Sequence, residues 1–264
     1  MARDVVDDRL IGALHVRALT RAGLLHEHSR PHEVVQAGTI AALLDGHYDG
    51  DLRVGDVLAR ADTGVGTIQQ LDGELVVVDG HAYVAHADGR VDPVTDDTKT
   101  PFVVACRFVA AARRPVTTAL GLDELCRALD ELAPAGEPVV AVRVDGRFRD
   151  VRLRSVRAQR APYPPLAEVV QHQTEWTVDA ATGTVVGFRF PDGSSGIEVP
   201  GYHLHFLSDD RARGGHVLGL VLEEGHLAVD GEHELHVEVP AGIRLGEPGA
   251  LAEEIHAVEG GAGS

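Results

Sequence analysis

Three histidines stand at 203, 205 and 216 in the stretch PGYHLHFLSDDRARGGHV. Side chains alternate along a strand, so His203 and His205 project to one face while Tyr202, Leu204 and Phe206 project to the other. The apolar side chains can then enter a core while both imidazoles converge. His216 opens the next strand-like run after the polar turn SDDRARGG, and an antiparallel return brings it beside the first pair. Three neutral imidazoles on a rigid sheet, with one coordination position left open, describe a catalytic site for a divalent metal. Zinc is the first candidate and other divalent ions are compatible; a structural zinc would close with four protein ligands.

The chain holds 15 histidines, so close pairs also arise by chance. His26 and His28 share the same spacing but lie in a polar, irregular segment, where metal binding is not expected. His233 and His236 would face opposite sides of a strand and are expected at the surface. Context therefore separates His203 and His205 from the other pairs: they alternate with core residues.

The rest of the composition narrows the function classes. With 264 residues and 44% hydrophobic content, the chain can bury one large core or two modest ones. A formal charge of −17 repels phosphate backbones and anionic lipid, which argues against nucleic-acid and membrane partners. No stretch approaches the roughly 20 apolar residues needed to cross a bilayer, and the start MARDVVDDRL lacks the apolar run of a signal peptide. A cytoplasmic protein is expected. The two cysteines, Cys106 and Cys126, read as buried free thiols.

The elements that must position the histidines can be read from periodicity. HEVVQAGTIAALLD, residues 32–45, places Val35, Ala37, Ile40, Leu43 and Leu44 at helical spacing before Gly46. Asp-Gly pairs at 72–73, 79–80 and 88–89 punctuate a β-meander. PFVVACRFVA alternates as a half-buried strand of the same sheet, and LDELCRALDEL carries Leu122, Leu125, Leu129 and Leu132 on one helical stripe. PVVAVRV and FRDVRLRSV, joined by Asp145-Gly146, predict a hairpin. From residue 174 the text is mostly strands.

These readings predict an α+β protein of two subdomains after a poorly determined segment, 1–30. Residues 31–161 form a mixed β-sheet with helices. Residues 162–264 form a mainly antiparallel sheet or small barrel that carries the metal site and ends in an acidic tail. The proline-rich APYPPL marks the boundary near residue 162.

Beyond the histidine block, GVGTIQQLDGELVVVDGHAY, TKTPF, LRSV with PYPPL, and the ending IHAVEGG occur in an order that resembles the alpha-acetolactate decarboxylase family. The resemblance covers most of residues 35–260. It implies His203, His205 and His216 as zinc ligands, with Glu74, Arg154 and Glu259 around the substrate. It also implies a homodimer built through the N-terminal sheet. Thr67 and Tyr163 are further candidates for lining the pocket. Gly64 and Gly66 permit close backbone approach, but GVGTIQ lacks the third glycine of a dinucleotide fingerprint.

The reaction implied is loss of CO2 from (S)-2-acetolactate to give (R)-acetoin. Zinc would act as a Lewis acid on the hydroxyl and ketone oxygens. Arg154 would hold the carboxylate through two hydrogen bonds, and Glu74 or Glu259 would supply the proton. An imine-forming lysine is the competing electron sink, and Lys99, in a polar turn, is the sole lysine. The residues by themselves also suit another three-histidine metalloenzyme, a hydrolase or a cupin-like dioxygenase. A non-catalytic role in binding metal is the remaining alternative.

Overall fold

Short β-branched runs between Gly- and Asp-rich turns put about half of the described residues into strands. The computed structural model describes residues 4–26, 32–240 and Ile255; Glu259 and His28 lie outside them. Strands β1 (Val5–Ile11) and β2 (Leu14–Leu19) form a hairpin, followed by helix α1 (Arg21–His26), strand β3 (Glu33–Ala37) and helix α2 (Ile40–Leu44). Next come β4 (Leu52–Arg53), α3 (Val54–Leu58) and the strands β5 (Thr63–Thr67), β6 (Glu74–Val78), β7 (His81–Ala85) and β8 (Val91–Pro93). These last four form the expected antiparallel meander. Strand β9 (Lys99–Thr100) pairs with β4, and β10 (Phe102–Cys106) returns to the sheet beside β3 and β5.

The second half begins with β11 (Ala112–Val116), β12 (Leu120–Gly121) and helix α4 (Leu122–Leu132). It continues through β13 (Val139–Ser155), α5 (Leu166–Val170), β14 (Thr174–Phe190), β15 (Gly201–Ser208), β16 (Gly214–Glu232) and β17 (Glu234–Glu238). A nine-stranded sheet runs β1-β2-β17-β3-β10-β5-β6-β7-β8, and a six-stranded sheet runs β11-β16-β13-β14-β15 with β12 on β16. Strand β15 also pairs with β16, so β13, β14, β15 and β16 close into a ring, a small antiparallel barrel. The α+β class, with a mixed first sheet and an antiparallel second one, is as the sequence predicts.

Several local expectations are corrected. Residues 32–45 are not one helix: Glu33–Ala37 is a strand paired with β10 and β17, and only Ile40–Leu44 is helical. Gly38, at φ +65, breaks the run, and the Thr39 hydroxyl accepts the Ala42 N–H at 3.1 Å to start the helix. Strand β10 is buried on both faces. Val104 and Cys106 enter a core between the two sheets, while Val103 and Ala105 enter a second core beneath α3.

The expected hairpin at Asp145-Gly146 is instead the middle of one 17-residue strand. Gly146 pairs with Gly183 on one side and Gly225 on the other. A Cβ on Gly146 would stand 2.3 Å from the Glu224 carbonyl oxygen, so close strand approach, and no turn, demands this glycine. Asp145 is held by the Thr184 hydroxyl at 2.7 Å and Arg143 Nε at 2.8 Å.

The chain passes from the first sheet to the second after β10, so that β13 belongs to the second sheet, and β17 returns to the first by parallel pairing with β2 and β3. His236 is accordingly buried rather than at the surface, within 3.2 Å of Glu33. Helix α4 is as expected, seating Leu125 and Leu129 in the core of the second sheet. Cys106 is a buried free thiol, whereas Cys126 is only partly buried. Among the described residues no helix is long and apolar enough to cross a membrane.

Candidate active site

Strand alternation sets the first two imidazoles. His203 and His205 of β15 face away from Leu204 and Phe206, which enter the core of the second sheet. Tyr202 packs against that same core and its hydroxyl donates to Asp130 at 2.8 Å. The closing seam of the barrel sets the third, because His205 lies directly opposite His216 across β15 and β16. Gly215, at φ +146, prepares this seam: a Cβ there would meet the Arg154 carbonyl oxygen at 2.9 Å. The three rings lie with centroids 5.0, 5.2 and 5.4 Å apart, and all three side chains are buried.

The nine-stranded sheet orients the triad. The Leu75 carbonyl oxygen lies 2.8 Å from His205 Nδ1. A carbonyl can only accept, so Nδ1 carries the hydrogen and Nε2 presents its lone pair. His203 Nε2 and His205 Nε2 stand 3.2 Å apart. Two nitrogens at roughly 2.1 Å from a tetrahedral zinc are separated by about 3.4 Å, so the spacing fits one shared ion. One ligand atom from each of the three histidines lies within 4.8 Å of the others.

The field in the site keeps His205 and His216 neutral. Burial, the neighbouring His203 and Arg154 hold His205 well below the usual histidine range. Burial and then Arg154 do the same for His216. Neutral imidazole is the form that binds a metal.

Arg154, on β13, stands opposite His216 and is buried, with Nη1 3.3 Å from the Gln173 side-chain oxygen. Glu74 opens β6, and its carboxylate lies 3.4 Å from His205 Nε2. Thr67 pairs with Glu74 across β5 and β6 and donates its hydroxyl to the Gly73 carbonyl at 2.7 Å. Thr67, Glu74, Arg154, His203 and His216 line one cavity of about 470 Å³, counted to its open mouth. Its apolar wall comes from α2 and α5 through Ile40, Leu43, Leu166 and Val170.

Tyr163 is not among the residues lining that cavity. It packs on Tyr48 with rings 5.2 Å apart and donates its hydroxyl to Asp49 at 2.9 Å. Lys99 is exposed on β9 and also stands outside the cavity. Glu198, fully buried and 3.8 Å from His203 Nδ1, carried no signal in the sequence, since it precedes β15 in an irregular segment. The Leu75 carbonyl could not have been found from side-chain types at all. Of the helical wall, α2 falls within the apolar run 32–45, whose first half is strand β3, whereas α5, after the proline run, gave no sequence signal.

Fold and site together define an α+β enzyme with a three-histidine centre between two sheets. Residues 34–244 match the family described as alpha-acetolactate decarboxylase. Relatives of that name in Methanosarcina mazei and Methylococcus capsulatus are 41% and 38% identical, covering 78% and 79% of this chain and 72% and 80% of their own lengths. The crystal structure of alpha-acetolactate decarboxylase from Bacillus subtilis strain 168 superposes with a TM-score of 0.82 at 33% identity, covering 86% of this chain and 99% of that one. The chain belongs to the alpha-acetolactate decarboxylase family, whose members are carboxy-lyases.

Proposed function

We propose that this protein converts (S)-2-acetolactate to (R)-acetoin and CO2 with a divalent ion, zinc in the first instance, held by His203, His205 and His216. The observation that carries this reading is one cavity lined by His203, His216, Glu74 and the buried Arg154, with His205 grouped beside the other two imidazoles. An ion bound there supplies a Lewis-acid sink for the electron pair left behind when CO2 departs.

The chain's own residues do the rest. Arg154 is aimed from β13 into the cavity and grips the substrate carboxylate through its planar fork, fixing the bond that breaks. Glu74, beside His205, stands on the metal side and takes the proton of the substrate hydroxyl. Glu259 lies outside the described residues; the family resemblance assigns it to the same site, and we give it the proton that ends on the carbon that carried the departing carboxylate. The apolar wall from α2 and α5 excludes water, which strengthens the Arg154–carboxylate contact.

A homodimer and a cytoplasmic location belong to the same proposal. Val6 and Leu10, 52% and 70% exposed on the edge strand β1, support association through the nine-stranded sheet. The test of function is direct. Purified protein mixed with 2-acetolactate should release CO2 and acetoin in equal amounts, lose activity with a chelator and regain it with Zn2+. Protein that retains one zinc per chain and forms no acetoin contradicts the reading and favours a hydrolase or dioxygenase.

A further inference from the structure

Strand β16 carries His216 near one end, and a second group of metal-ligating side chains stands at the other. Asp230 and Glu232 close the strand, paired with Ala141 and Val139 of β13. Both are 1% exposed. His32 stands just before β3 with its backbone at φ 58, and its Nδ1 lies 3.0 Å from the Gly231 carbonyl oxygen and 3.6 Å from Asp230 Oδ1. One ligand atom from each of His32, Asp230 and Glu232 falls within 4.8 Å of the others.

The buried carboxylates are not satisfied by the protein. The Val109 N–H donates to Asp230 Oδ2 at 2.7 Å, but among the described residues Asp230 Oδ1 and both oxygens of Glu232 have no hydrogen-bond partner beyond the weak Cys106 thiol. The thiol of Cys106, itself buried, lies against Glu232 and offers at best a weak donor. Glu33 and Glu137 add further negative charge nearby. Burial and the adjacent Asp230 raise the Glu232 carboxyl to about 8. Two acids buried side by side call for a cation or a shared proton.

We propose that His32, Asp230 and Glu232 form a second divalent-cation site, separate from the histidine triad. One imidazole nitrogen and two carboxylates suit a borderline ion such as Zn2+ or Mn2+; His32 Nδ1 donates to the Gly231 carbonyl as it stands, so the half-exposed ring exchanges that hydrogen bond for the ion on binding, with water completing the coordination. Its place in the fold gives it a role. Here β16 leaves the second sheet, β17 enters the first, and His32 leads into β3, so the ion ties the two sheets at their crossing.

The test counts ions. Protein stripped with chelator, reloaded with Zn2+ and passed through gel filtration should hold two zinc ions per chain. Glu232→Gln and His32→Ala should each hold one and keep wild-type turnover of acetolactate, while His205→Ala should keep one and lose turnover. The second equivalent of Zn2+ should raise Tm in the wild type and not in Glu232→Gln. His32 is nearly half exposed, so His32→Ala gives the answer even if Glu232→Gln folds poorly. Equal zinc content in wild type, Glu232→Gln and His32→Ala overturns the proposal and leaves a shared proton on the pair. A wild-type count of one that survives His205→Ala and disappears in Glu232→Gln would uphold this site and sink the catalytic triad instead.

Discussion

Two buried groups of histidine and charged partners behave differently although their residue types overlap. Arg60, Glu33 and His236 close on one another: Arg60 donates to the Glu33 carboxylate, and His236 Nδ1 lies 3.2 Å from the same group. His203 and His216 instead line a cavity and group with His205, whose hydrogen is tied back to Leu75 and whose lone pair points toward them. Burial is nearly complete in both. What separates a structural cluster from a reactive one is therefore the direction of the lone pairs and the space they meet. A closed ion pair serves the fold, and imidazoles grouped at a cavity can hold an ion.

Substitution should split these two roles cleanly. His205→Ala removes an ion ligand, and we expect acetoin formation to fall by about 10³-fold or more while circular dichroism stays that of the wild type. Glu33→Ala should do the reverse. Removing one partner of a buried pair costs about 3–5 kcal/mol, so Tm falls sharply while the folded fraction keeps its kcat. Unfolding of His205→Ala together with normal stability of Glu33→Ala would erase the distinction.

A smaller effect is expected at the substrate clamp. Arg154→Lys keeps the charge but loses the planar fork, and kcat/KM should drop about 10²-fold with the ion count unchanged. Loss of the ion in that variant would move Arg154 from substrate binding to support of the triad.

Acid should also separate the clusters, and the direction follows from the shifts. His205 and His216 sit below the ordinary value of 6.5 when folded, so the unfolded chain takes up protons first. Chelator-treated protein therefore loses stability as pH falls below about 6.5. Burial alone would raise Glu33, yet hydrogen bonds from His236 and Arg60 hold it below its ordinary 4.5. Its contribution is full above that value and is lost as pH falls through the lowered folded one. Tm measured against pH should show two declines, with His205→Gln flattening the upper and Glu33→Gln the lower. One shared decline would contradict the assignment.

Much of the site was legible in the sequence because strand alternation and a short glycine return are local signals. They bring His203, His205 and His216 together from the sequence alone. Glu74 and Arg154 were legible only through family resemblance, since no spacing rule links β6, β13 and β15 across two sheets. The same limit explains the errors. His236 looked exposed because its burial depends on β17 crossing to the first sheet. Asp145-Gly146 looked like a turn because glycine for close strand contact and glycine for reversal read alike. Tyr163 stood close in sequence to the pocket helix α5 but turns toward Tyr48 and Asp49. Its hydroxyl makes one exposed hydrogen bond, so Tyr163→Phe should change kcat/KM by less than about twofold.

The central claim, that the three imidazoles hold the ion facing Arg154, is tested most directly by anomalous diffraction at the zinc edge from crystals of active enzyme. The account predicts a peak roughly 2.1 Å from a ring nitrogen of each of His203, His205 and His216. A cavity with no anomalous density there, in crystals that still convert acetolactate to acetoin, would contradict it.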